Sequence, residues 1–279
     1  MLKLIKVELF KIAAKPRSYI GLLAITIIVL LIQMAMLADG KGFLSFIFSS
    51  FSQSFDIEGK ILNGNLVAFI VLQMLVMQMP LLIAFVTGDI ISGEAADGTL
   101  RLIAGRPFSR TKIFFAKYTA SAIYTAILTL WLGLMALLLG RILFGNGDMI
   151  VLKSDSLTVI RSADVLWRYM AAFGIAFLSL LLIASYSFCI SAFSNNSITP
   201  IIICMGTIIV FTIIGTLDIP FFDYIKPFLF TTHMIVWRDM FYNPLQWTDI
   251  ATSVGIIVFY IVLFTGIGWY HFKTKDILI

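Results

Sequence analysis

The chain has 279 residues, 60% of them apolar and 13% charged, where soluble domains run to about 45–50% and about 25%. Its apolar residues stand in long uninterrupted runs rather than at period 3.6 or 2, which excludes an ordinary soluble protein of one or two domains and leaves an integral membrane protein. The formal net charge of +5 is modest, and its basic excess falls in the segments read below as cytoplasmic, so it reads as contact with an anionic inner leaflet and not with nucleic acid.

The N-terminal segment 1–17, MLKLIKVELFKIAAKPR, predicts an amphipathic helix lying in the membrane interface. Leu2, Ile5, Leu9 and Ile12 share one face, Lys3, Lys6 and Lys11 lie off it, and Pro16 ends it. A solvated basic tail is the plainer alternative. No small-x-small cleavage site follows the first apolar run, so the segment reads as an uncleaved signal anchor. Six runs are long enough to span: Tyr19–Leu37, Leu66–Val86, Tyr118–Leu139, Met170–Phe193, Ile198–Gly215 and Ile250–Tyr270. Inside a bilayer only internal helical bonds satisfy their backbones, and a barrel would need strands alternating polar and apolar. The expected fold is therefore all-α: one polytopic domain over 1–279, six transmembrane helices behind an interfacial helix. Pro80 is expected to kink the second span.

The stretch between the second and third spans, 88–117, is the least apolar. Gly93-x-x-x-x-Gly98-Thr99 has the glycine spacing of a phosphate-binding loop, but Thr99 stands where the lysine belongs, Glu94 and Asp97 would repel phosphate, and a membrane span precedes it instead of a buried strand. The second span is expected to continue to Ala96, and Asp97-Gly98 to turn. Thr99 is positioned to cap a two-turn helix, LRLIA, with Leu100, Ile103 and Ala104 on its apolar face; Gly105 and Arg106-Pro107 end it. Ser109 then caps the basic entry to the third span. Such a knob, rimmed by Arg101, Arg106 and Arg110, can plug into a partner's groove; alternatively it is a solvated loop whose arginines set topology.

With the N-terminus inside, the cytoplasmic segments hold twelve of the twenty Lys and Arg and five of the fifteen acids, which places both termini in the cytoplasm. Beyond the third span, Gly140–Leu166 reads as a polar, solvated outer loop, and Phe-Ser-Asn-Asn-Ser-Ile-Thr-Pro (193–200) as a short inner turn. Segment 216–249 is too interrupted by Pro and charge to span, and its aromatic density suits the membrane–water boundary.

The pattern Glu94-x-x-x-Gly98-Thr99-Leu100-Arg101, then Arg106-Pro107-x-Ser109-Arg110 and a basic entry to the next span, resembles the membrane subunits of ABC-2 type transporters. The motif covers about 25 residues, and the architecture agrees over nearly the whole chain. The resemblance implies that the first cytoplasmic loop is a coupling helix docked on a separate cytoplasmic ATP-binding subunit. It implies a permease in the cell membrane, working as a homodimer or related heterodimer. No cofactor is expected on this chain, since ATP and Mg would reside on the partner, and no catalytic activity. It further implies that 216–249 dips back into the outer leaflet.

The spans carry no acidic or basic residue away from their ends, which disfavours an ion-coupled secondary transporter. Gln33, Gln73 and Gln78 are candidates to line a translocation path, with interhelical bonding as the alternative role. Met34, Met36, Met74, Met77 and Met79 read as packing rather than a soft-metal path. Cys189, Cys204, His233 and His271 are mutually isolated in sequence, so an intramembrane hydrolase or metal site has no raw material.

Overall fold

The computed structural model describes residues 1–52, 62–100, 108–153 and 156–275. Helix α1, Leu2–Ala14, stops just ahead of Pro16, whose missing N–H is harmless in the first turn of α2, Pro16–Ser52. Asp39 leaves helical geometry (φ −142°, ψ 39°), so the membrane-length part of α2 is Pro16–Gly40. The second apolar run, expected as one kinked span, is broken. It forms α3, Gly64–Val76, then α4, Met79–Thr87, and α5, Asp89–Ala96. Pro80 occupies the first turn of α4, where its lack of a donor costs nothing, and the chain turns at Met77-Gln78. α4 and α5 together make a membrane-length rod, Met79–Ala96, that reaches Ala96 as expected.

Helix α6 runs Arg110–Phe144 and widens into a π-helical turn at Met135–Leu139. Helices α7, Ser162–Phe193, α8, Thr199–Thr216, and α9, Trp247–Thr274, complete six helices among the described residues that are long and apolar enough to cross a membrane. The protein is a multi-pass, membrane-embedded helical bundle. α7 is its axis, packing against α4, α5, α6, α8 and α9.

Gly140–Leu166 departs from the expected solvated loop. Strands β1, Met149–Lys153, and β2, Ser156–Ile160, form an antiparallel hairpin in which Met149 pairs with Ile160 and Val151 with Thr158. All four of these residues are buried, because successive strand residues point to opposite faces and this face meets the bundle. Segment 216–249 is a chain of short turns, Pro220–Asp223, Lys226–Phe228, Phe230–His233 and Val236–Phe241. Phe230, Trp237, Met240 and Phe241 sit in the main core, so protein covers this stretch. Buried Arg168 holds it down, donating to the carbonyls of Met240 (3.0 Å) and Tyr242 (3.1 Å) and to Asn243 Oδ1 (2.7 Å).

The connections gather at two ends. At one end lie α1, the α5–α6 connection, the turn 194–198 and the end of α9, tied by Arg17–Ser197, Lys15–Asp89 and Arg110–Lys275 contacts. At the other lie the start of α3, the hairpin and 217–246, tied by Asn63–Asp148 and Arg168–Tyr242 contacts. Exposed Trp167 and Trp247 mark the second end and exposed Tyr19 and Tyr270 the first, as interfacial aromatics do.

Candidate functional site

At the α1 end four charged residues, Glu8, Asp89, Glu94 and Lys117, are buried. Lys117, in the third turn of α6, has no solvent exposure, and its ammonium sits 2.8 Å from Glu8 Oε2 and 2.7 Å from Glu94 Oε2. Lys11 closes the ring, 2.8 Å from both Glu8 Oε1 and Glu94 Oε1. Two cations and two anions thus alternate, joining α1, α5 and α6. Burial works against the Glu8 carboxylate, but Lys117 and Lys11 more than reverse this and hold its pKa below the usual range. Burial likewise opposes the Lys11 charge, and hydrogen bonds to Glu8 and Glu94 outweigh it, raising that pKa.

A second cluster centres on Asp89, the buried first residue of α5, where a carboxylate also favours the helix N-terminus. Lys15 Nζ lies 2.7 Å from Oδ2, Arg17 Nη1 lies 3.1 Å from Oδ1, and Ser197 Oγ donates to Oδ1. α1, α2, α5 and the turn before α8 therefore meet at one carboxylate. Ser191 of α7 accepts from the backbone N–H groups of Ile91 (3.2 Å) and Ser92 (2.9 Å). Gly88 lets α4 pass close to Ser187 and Pro200, since a Cβ there would come within 2.8 Å of Ser187 Oγ. Beside these clusters a groove of about 830 Å³ opens between α1 and α5, reaching Asp97, Thr99 and Phe108.

Beside this base lie the described residues of the α5–α6 connection, 97–100 and 108–109. Asp97 and Gly98 form the expected turn, and Gly98 has φ +71° with nothing within 4 Å of where a Cβ would stand. Asp97, Gly98, Thr99 and Phe108 are exposed. Thr99 is itself helical, and its hydroxyl donates back to the Glu94 carbonyl at 3.3 Å; the backbone groups it was expected to cap lie outside the described residues. Leu100 also departs from its expected place on an outward docking face. It is 4% exposed and belongs to a small inner cluster with Ile91, Ile113, Phe114 and Phe188, so it anchors the connection to the bundle. Arg101, Ile103, Arg106 and Pro107 lie outside the described residues. Ser109 caps α6 as expected, accepting from Lys112 N at 3.3 Å. Arg110 donates to the carbonyls of Lys273 and Lys275, filling acceptors that the end of α9 leaves open.

The three glutamines do not converge. Gln33 is fully buried, and its Nε2 donates to the carbonyls of Met135 (3.3 Å) and Ala136 (3.4 Å), acceptors at the π-helical turn; its observed role is interhelical. Gln73 and Gln78 face out of the chain beside Met74 and Met77, at the break between α3 and α4. α1 turns its Ile5, Leu9 and Ile12 side toward the bundle, with Glu8 at its centre, and leaves Leu2, Val7 and Phe10 exposed.

The ion clusters were missed by sequence reading, which counted Lys11, Lys15, Arg17 and Lys117 as topology signals. Two signals pointed to them: Glu8 is the lone acid of a basic segment, and Lys117 interrupts the apolar stretch Phe-Phe-Ala-Lys-Tyr.

Residues 22–278 match the model of a family described as "Protein of unknown function (DUF2705)". The chain is also similar to an uncharacterized protein, YhcI, of Bacillus subtilis (strain 168), with 24% identity over 202 residues. That alignment covers 69% of this chain and 62% of the relative.

Proposed function

This chain belongs to the DUF2705 family, and we propose that it is the permease subunit of an ATP-driven exporter of the ABC-2 type. Two copies form the translocation path in the cell membrane, with both termini cytoplasmic. Separate ATP-binding subunits, carrying ATP and Mg, dock on the α5–α6 connection. The observation that carries this reading is the rigid base beneath the Gly98 turn. A load applied to the connection is delivered to both helices it joins. Through Lys117 and Glu8 it reaches α1, through Asp89 and Ser197 the turn before α8, and through Ser191 the central helix α7. Close-packed, ion-paired contacts of this kind transmit displacement rather than absorb it.

Two further features support the reading. The described buried charges Glu8, Asp89, Glu94 and Lys117 lie at one end and Arg168 at the other, where an ion-coupled carrier needs them near mid-span. Gln73 and Gln78 open onto the surface of a single chain at a broken helix, and amides at that depth call for a second polypeptide or a watered path.

The test is co-purification with the ATP-binding subunit. Because Leu100 is internal, the variant that addresses docking is Arg101→Glu with Ile103→Asp. It is expected to abolish co-purification while membrane insertion persists, since a carboxylate buried in a partner's groove costs several kcal/mol. Lys153→Asp, at the far end, is the comparison and is expected to retain the partner. Wild-type co-purification and transport in the double variant would reduce the connection to a topology-setting loop.

A further inference from the structure

We propose that the groove between α6 and α7 is a binding site for one anionic phospholipid, its phosphate on Arg141 and an acyl chain along the groove. The groove has a volume of about 550 Å³ and an almost wholly apolar lining. On α6 it runs from Arg141 to Ala126, and on α7 from Leu166 to Phe177. At 1.5 Å per residue those stretches are about 22 Å and about 16 Å long, enough to span the roughly 15 Å of one leaflet's hydrocarbon. An acyl chain fits that length and the apolar lining, and the Arg141 charge at its mouth complements an anionic headgroup.

Two glycines shape it. Gly133 admits the ring of Phe173, whose Cζ would stand 2.8 Å from a Cβ at that position. Gly174 has nothing within 4 Å of its would-be Cβ and leaves the floor open. Leu130, Leu134, Leu138 and Met170 stand exposed along the rims.

The charge at the mouth selects the headgroup. Arg141 is half-buried in the last turn of α6, and its Nε donates to Asn65 Oδ1 at 3.1 Å. Asn65 is itself fixed, donating to Gly147 O (2.7 Å), while its own carbonyl accepts from Tyr169 (2.7 Å). No carboxylate pairs with Arg141 among the described residues. A guanidinium held by one edge, with no carboxylate paired to it among the described residues and Trp167 marking the boundary nearby, is suited to a phosphodiester. This assignment is independent of the permease reading.

Native mass spectrometry of the purified full chain, titrated with phosphatidylglycerol or phosphatidylcholine, tests it. Wild type is expected to retain one phosphatidylglycerol and to prefer it over phosphatidylcholine. Arg141→Gln should weaken that binding about tenfold or more, the scale of a charge-assisted bond. Gly174→Phe should remove it by filling the floor. Leu134→Trp, on a side chain already exposed, obstructs the same channel from the opposite wall should Gly174→Phe not fold. Unchanged affinity in Arg141→Gln, or equal binding of both lipids, overturns the headgroup assignment; retention in both groove-filling variants overturns the site. A disulfide between copies carrying Leu134→Cys in native membranes would make a second copy the occupant and equally overturn it.

Discussion

Lys117 is the residue on which the α1 end depends most. A fully buried ammonium is tolerated there because Glu8 and Glu94 meet it at 2.8 and 2.7 Å. Removing one partner of such a pair typically costs about 3–5 kcal/mol, because the other charge is left buried and uncompensated. Lys117→Met is therefore expected to lower thermal stability sharply in detergent micelles. Lys117→Met with Glu94→Gln should recover part of the loss, since one carboxylate then remains for Lys11. A double variant no better than the single one would mean that Lys117 acts by shape rather than charge. The same ring makes α1 docking depend on pH. Glu8 titrates below its ordinary value of 4.5 when folded, so its contribution is full above that value and disappears as pH falls through the folded pKa. Lys11 titrates above its ordinary 10.5, so its contribution is full below that value and disappears as pH climbs through the folded pKa. Hydrogen exchange in residues 2–14 should be slow across the interval between and accelerate on both sides; exchange indifferent to pH after correction for chemistry would refute the ring.

At the level of elements, close crossings set by glycine can be tested directly. A Cβ on Gly140 would lie 2.9 Å from the Gly64 carbonyl oxygen, where only backbone movement relieves it. Gly140→Val should destabilise the α3–α6 crossing by about 1–3 kcal/mol, the usual cost of overpacking. Gly206→Ala, in open surroundings on α8, should be neutral or stabilising by up to about 1 kcal/mol in the same melting assay. Equal shifts in the two variants would remove the crossing argument. Gly98→Val differs again: its φ of +71° costs a branched residue about 1–2 kcal/mol, and nothing packs on it. It should disturb the connection while the bundle melts as before. How much of this was legible varies with the range of the interaction. The Asp97-Gly98 turn and the Ser109 cap are local, and the sequence spells them. The hairpin carried no period-2 signal, because Ile150, Leu152, Leu157 and Val159, which alternate with the inward Met149, Val151, Thr158 and Ile160, are apolar as well. The Lys117–Glu8 pair joins residues 109 positions apart, and Leu100 turns inward only because Phe114 and Phe188 wait there. No local pattern encodes either.

For the whole molecule, six membrane-length helices and two sets of connections give one arrangement with two opposite orientations. The basic residues favour the α1 end inside. Cysteines placed at Lys60, Asp155 and Asn243 should then react with an impermeant reagent in intact cells, and those at Arg106 and Lys275 only after permeabilisation. Labelling of Arg106→Cys from outside would invert the orientation and remove the α5–α6 connection from any cytoplasmic partner. The second apolar run differs from the expected single kinked span, since α3 is separated from the α4–α5 rod by the turn at Met77-Gln78. The N-terminal helix half-buries Ile5, Leu9 and Ile12 against the bundle while Leu2, Val7 and Phe10 stay exposed.

The π-helical turn at Met135–Leu139 acts as a phase shifter within α6. One surplus residue in a helix advances everything beyond it by about 100°. That advance sets the azimuth at which Gly140 meets Gly64 and Arg141 meets Asn65, while Gln33 occupies the carbonyls the wider turn sets free. Excising a single leucine from the turn would restore an unbroken α-helix, with better local bonding than the native one. It would also rotate Gly140 and Arg141 away from their partners together, so the locally more regular helix should belong to the less stable protein.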